Sequence, residues 1–139
     1  MKTILALLLL VCLLTGCNNR SSSVTIQILE GYPPTPSRAV AFSYVFQHET
    51  FLRQIVRQSD IANRLSMSEA EAIEMLQSRT KIVTGETQDI LHIFVKGLAE
   101  PDRDYILKTI SQAIQKEVER LLVGEPPDMK PRYTVKILD

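Results

Sequence analysis

Tryptophan is missing from this chain, and aromatic residues make up only 6 % of its 139 positions. A groove that stacks sugars or bases on aromatic faces has little to draw on. Cysteine is almost as scarce: Cys12 and Cys17 are the only two, and Cys12 sits in an apolar leader expected to be cut away. A single thiol then remains, no internal disulfide can form, and packing alone must hold the fold. Charge of one sign is lacking as well, since 16 Lys and Arg balance 16 Asp and Glu. Losing Lys2 with the leader leaves 15 basic against 16 acidic residues, one unit negative. Such a balance suggests neither nucleic acid nor an anionic membrane surface as a partner. No later apolar run reaches the roughly 20 residues a spanning helix needs, so a lipid would be the only anchor. There is no Gly-x-Ser-x-Gly motif, and the histidines, His48 and His92, lie far apart in the chain. The sequence therefore offers no catalytic set, no metal cluster and no cofactor motif, and a non-enzyme is expected.

What is present begins at the amino terminus. One lysine, an apolar run and then Leu14-Thr15-Gly16-Cys17 give the layout of a secretory signal. The run is about a dozen residues, too short for a stable span. Its ending resembles the lipobox of bacterial lipoproteins, in which the cysteine is lipidated and the chain is cut just before it. Residues 1–16 are thus expected to be a lipoprotein signal peptide, with Cys17 the lipidation site and residues 17–23 a lipidated tether. Asn18 to Ser23 is polar and without apolar period; six such residues reach at most roughly 20 Å. The domain, residues 24–139, would sit in the cell envelope on the periplasmic or extracellular side of a bacterial membrane. Asn18, where enterobacterial inner-membrane lipoproteins carry aspartate, leans toward the outer membrane.

Val24 to Glu30 alternates apolar and polar residues as a half-buried strand does. Gly31-Tyr32-Pro33-Pro34-Thr35-Pro36 breaks it. From Ser37, a plausible N-cap, a helix is predicted over Arg38 to Gln58, with Ala41, Phe42, Val45, Phe46, Leu52, Ile55 and Val56 as its apolar stripe. His48 falls at the stripe's edge with no ligand partner at metal spacing. Asp60 starts a short extra turn, and Ser68-Glu69-Ala70-Glu71 reads as a capping box for a helix ending near Ser78. Glu69, Glu71 and Glu74 could pass for an acid–base cluster, but the helix dipole favours acids in a first turn anyway.

Thr80 to Thr84 is a second strand. Thr84-Gly85-Glu86-Thr87 lacks the second glycine and the lysine of a phosphate loop. Asp89 to Lys96 is the strongest strand, apolar on both faces as central strands are. Leu91, Ile93 and Val95 form one face; Ile90, His92 and Phe94 form the other, which could lie against a neighbouring subunit. Pro101 opens a long helix whose stripe is Ile106, Leu107, Ile110, Ala113, Ile114, Val118 and Leu121. Gly124 and Pro126 end it, and Arg132 to Leu138 alternates as a last strand. The order β-α-β-β-α-β predicts an α+β fold of the split βαβ, ferredoxin-like type, a four-stranded sheet with helices on one face. Right-handed crossovers would place the first and third strands centrally.

From Val24 onward the pattern resembles the periplasmic domain of the bacterial chain-length determinant family, the polysaccharide co-polymerases. The likeness is carried by Ser59-Asp60-Ile61 through Ser68-Glu69-Ala70-Glu71, by Ile82-Val83 with Glu86-Thr87 and Leu91 to Val95, by Pro101 opening a long helix, and by Val135 to Asp139. It spans most of the chain after the leader. It implies a non-enzymatic domain that forms a homo-oligomer and assists chain-length control or export of surface polysaccharide, with polymerase or export proteins as partners. The chain departs from the family in carrying a lipobox where members have a membrane helix, and in stopping at the strand that precedes their second one. Small α/β lipoprotein domains that build rings in secretion systems are the alternative, by architecture alone.

Overall fold

Two periodicities divide the chain, and the computed structural model places both in one α+β unit. It describes residues 20–38 and 40–138, so the leader 1–16 and Cys17 lie outside the described residues. Strand β1 (Ser21–Glu30) and the two-residue β2 (Thr35–Pro36) come first. Helices α1 (Val40–Gln47), α2 (Glu49–Gln58), α3 (Ile61–Arg64) and α4 (Glu69–Arg79) follow. A hairpin of β3 (Thr80–Thr84) and β4 (Ile90–Lys96) leads to α5 (Glu100–Glu119). The chain closes with β5 (Leu122–Val123), β6 (Lys130–Pro131) and β7 (Tyr133–Leu138).

Thr25, Ile26 and Gln27 of β1 have partners in both β4 and β7, so those strands flank β1, and β3 pairs with the far side of β4. All these pairings are antiparallel. The first and third main strands are thereby central, and β3 and β7 are outermost. Alternation decides what each strand buries. Ile26 and Ile28, Leu91, Ile93 and Val95, Ile82, and Val135 turn to one side and are buried. They join Phe46, Leu52, Ile55, Leu76, Ile106, Ile110 and Ile114 from the helices in one cluster. On the other side Thr25, Gln27, Val83, Ile90, His92 and Phe94 are only half-buried, and Lys81, Lys96 and Lys136 are exposed. The outer strands carry helix side chains on backbone groups that the sheet leaves unpaired: Gln47 Nε2 donates to the Ile82 carbonyl (3.0 Å), and Glu119 accepts from Val135 N (3.2 Å). Such plugs discourage uncontrolled edge-to-edge pairing.

Several boundaries differ from the sequence expectation, each for a local reason. The tether assigned to residues 17–23 is shortened, because Ser21, Ser22 and Ser23 pair with Lys96, Val95 and Phe94. Ser22 is pinned there: its hydroxyl donates to Asp104 (2.7 Å) and accepts from Arg103 Nε (3.3 Å). The single helix over 38–58 is broken at His48, whose backbone is extended and whose ring accepts from Thr50 N. On an unbroken helix Phe46 and Phe51 would point about 140° apart; the break lets both enter the core, with ring centroids 5.0 Å apart. Ala41 and Val45 turn outward as a result. In α4 the buried side chains are Ala72, Ile73, Met75 and Leu76. The long helix stops at Glu119, before Gly124, leaving Leu121 exposed, and the residues beyond it form the unforeseen β5–β6 hairpin.

The capping box is formed on both sides: Glu71 N donates to Ser68 Oγ (3.2 Å), and Ser68 N donates to Glu71 Oε2 (2.8 Å). Ser68→Ala removes one acceptor at the N-terminus of α4. It should lower unfolding stability by about 1 kcal/mol, read as a shift in urea midpoint at unchanged slope.

Candidate functional site

The open face of the sheet holds the most connected set of polar side chains. Thr25 and His92 are directly opposite on β1 and β4, and Thr25 Oγ1 lies 2.9 Å from His92 Nδ1. His92 Nε2 is 3.5 Å from Glu86 Oε2, on a carboxylate 84 % exposed. One register step along, Gln27 Nε2 donates to Asp89 Oδ2 at 2.7 Å. The imidazole also sits beside Phe94, ring centroids 6.3 Å apart at 48°. Gly85 makes this approach feasible. A Cβ there would lie 2.5 Å from Ile90 Cγ2 and 2.8 Å from His92 Nε2, closer than real contacts allow.

A hydroxyl, an imidazole and a carboxylate in line invite comparison with a nucleophile and its base. Geometry argues for a different use. The carboxylate is the group meant to hold the imidazole, yet Glu86 is solvated and stands at the limit of hydrogen-bond reach. The short contact is the one between strands. Thr25–His92 and Gln27–Asp89 act as clasps that lock β1 against β4 and its preceding turn.

Asp89 is the firmest of these clasps. It is 5 % exposed, and its backbone carbonyl accepts from Ile28 N. The Thr87 hydroxyl foremost, then the Gln27 amide, hold its carboxyl below the usual range by bonding the charged form. Glu86 is also lowered, by its own backbone amide first and by His92 next. For Asp89 the depressed folded pKa means stability that is present above the unfolded value of about 3.9 and lost as pH falls through the folded value. Asp89→Asn should cost about 1.5 kcal/mol at neutral pH, the lower end for bonds to a charged group, because the amide oxygen keeps one acceptor. The gap between wild type and variant should close as the pH is taken below about 4, by urea denaturation at each pH. A gap that stayed constant would show that the carboxylate charge contributes nothing.

The other residues singled out in the sequence are dispersed. His48 caps α2. Glu69 pairs with Arg57 at 2.9 Å and with Arg53 at 3.4 Å, and Glu71 serves the cap of α4. Glu69 and Glu71 thus have separate ionic and capping roles. Among the described residues no group of His, Cys, Asp and Glu is arranged to hold a metal ion, and no helix is long and apolar enough to cross a membrane. A groove of about 430 Å³ runs past the α1–α2 break, lined by Tyr44, Val45, His48, Phe51, Gln54 and Glu117. The sequence reading missed Arg103, a buried guanidinium that donates to the Leu98 carbonyl and to Ser22. Its flanking acids, Asp102 and Asp104, give no local sign of that burial. Comparison with protein-family models and with curated proteins gave no match to this chain.

Proposed function

We propose that the protein is an envelope lipoprotein, anchored through Cys17, whose domain is a non-enzymatic self-associating module in the assembly or export of surface polysaccharide. The observation that carries the self-association is the uncovered face of the sheet. Its central strand places Ile90 and Phe94 there, half-buried, whereas the helix residues of the main cluster pack on the opposite face. A central strand that is apolar on both faces usually has something on both. This reading takes the pairing of β7, β1, β4 and β3 as the split βαβ, ferredoxin-like arrangement, with α1 to α4 and α5 as its helical connections. The polysaccharide assignment comes from the resemblance to chain-length determinants. Polymerase or export proteins are the expected partners.

A ring-building module of a secretion system is the second reading. It draws on Ile137 and Leu138, which are 47 % and 37 % exposed on the outermost strand β7. A closed ring needs two different patches that meet head to tail, and β7 supplies a second beside the open face. Light scattering of the intact lipoprotein in detergent tests self-association, and a deletion strain separates the two machines. Altered length or amount of surface polysaccharide supports the first reading; normal polysaccharide with failed secretion supports the second. A monomer at high concentration, in a strain with unchanged polysaccharide, would sink the proposal.

A further inference from the structure

We infer that the end of the sheet where β1 begins is a docking surface for an anionic lipid leaflet, built from Arg20, Arg79, Lys81 and Lys96. The inference rests on the reading of Cys17 as the anchor. Charge over the whole chain is balanced, yet the fold gathers these cations at one place. Lys96 is the register partner of Ser21, Lys81 is that of Phe94, and Phe94 in turn pairs with Ser23. Gly97 N donates to the Arg20 carbonyl at 3.2 Å. A Cβ on Gly97, whose φ is +80°, would fall 2.2 Å from Arg79 Nη1, so that guanidinium lies over the turn leaving β4. All four cations are exposed, and none is ion-paired to another described residue.

The occupant follows from where the chain goes next. Arg20 is three residues from Cys17, and three residues reach at most roughly 10 Å. A lipidated Cys17 therefore holds this end within about a Debye length of the headgroups. Nearby acids belong to the helix layer. Asp102 is held by Arg64 at 2.9 Å, and Asp104 accepts from Ser22. Glu100 stands at the start of α5. The sheet side of the end is left basic. Basic residues beside an anchor attract anionic headgroups, and each contributes about fivefold in partitioning. The acyl chain and the cations would together fix the orientation of the domain as well as its location.

The test separates the cations from the lipid anchor. Every residue of the core lies between Val24 and Val135, so the chain from residue 17 onward, carrying Cys17→Ser, retains the whole core and is suited to vesicle sedimentation. At low salt it should bind vesicles of phosphatidylcholine with 30 % phosphatidylglycerol (a composition of about one anionic lipid in three) and leave pure phosphatidylcholine unbound. Binding should fade as salt is raised. Lys81→Gln with Lys96→Gln should weaken it about 30-fold. Lys116→Gln with Lys136→Gln, the same charge change away from this end, should leave it near the original value. Equal losses from the two pairs, binding to neutral vesicles, or preference for a soluble acidic polysaccharide over the vesicles would each overturn the inference. Acylation of Cys17 is checked separately by mass spectrometry of the full chain from membranes. An unmodified cysteine overturns the anchor reading and the docking inference with it, whereas failed vesicle binding with an acylated cysteine overturns the docking inference alone.

Discussion

Phe94→Asp is expected to leave the domain folded and to weaken its self-association by about 30-fold or more, whereas Ile93→Ala, one residue away, should do the reverse. Alternation along β4 separates the two side chains. Ile93 is 0 % exposed and lies in the main cluster. Truncating a buried isoleucine to alanine removes transfer energy and leaves a cavity, about 2–5 kcal/mol together. Against a total of about 5–15 kcal/mol that is a large fraction. Phe94 points to the other face, where it is half-buried between Ser23 and Lys81, its register partners on β1 and β3. An aspartate there meets Lys81 across the strand pair and Lys96 two residues on, so the new charge has cations beside it. Losing a central aromatic anchor from an interface typically costs about 2 kcal/mol or more, hence the 30-fold figure. Circular dichroism with urea denaturation reads the first effect, and light scattering reads the second. If Phe94→Asp unfolds the domain as Ile93→Ala does, the open face is core and the self-association surface must be sought elsewhere.

How far this division was legible in the sequence depends on the range of the interaction. β4 announced itself through an apolar run interrupted only at His92, and both of its faces were separable by period alone. The capping box at Ser68 and Glu71 is a contact three residues long, and it formed as read. The polar set on the open face was not legible. Thr25 and His92 are 67 residues apart, and only the register of β1 on β4 brings them together. Asp89 looked like the polar start of a strand, and nothing local showed that Thr87 and Gln27 would bond it. Arg103 was hidden by composition, since a guanidinium between two acids reads as solvent-facing until the start of β1 is laid beside it. The three serines at 21–23 read as a tether for the same reason: their partners, Lys96, Val95 and Phe94, come from the far end of β4. The helix break at His48 had a faint signal. Phe46 and Phe51 are both large and apolar but fall on different sides of an unbroken helix, so a single apolar stripe could not have buried both.

That break is where the second large effect is expected. Phe46 is 1 % exposed and stands at the C-terminal turn of α1, stacked on Phe42 at 6.0 Å and tilted against Phe51 at 5.0 Å. Phe42 meets Tyr133 of β7 edge-on at 5.2 Å. At the other end of the helix Gln47 donates to Ile82 of β3. α1 therefore reaches from one outer strand to the other, and Phe46 is its deepest point of attachment. Phe46→Ala should cost about 3–5 kcal/mol, the range for emptying a buried phenylalanine site. Phe46 also lines the floor of an open pocket of about 240 Å³ with Gln47, Leu52, Gln77 and Thr80. For a domain of this size the melting temperature should fall by roughly 10–20 °C. Phe42→Ala should cost less, because Phe42 is only half-buried. If Phe42→Ala instead proves as damaging as Phe46→Ala, the edge-on contact with Tyr133 would be the principal fastening of α1. The two melting curves, measured beside wild type, decide between a helix held at its C-terminal turn and one held through β7.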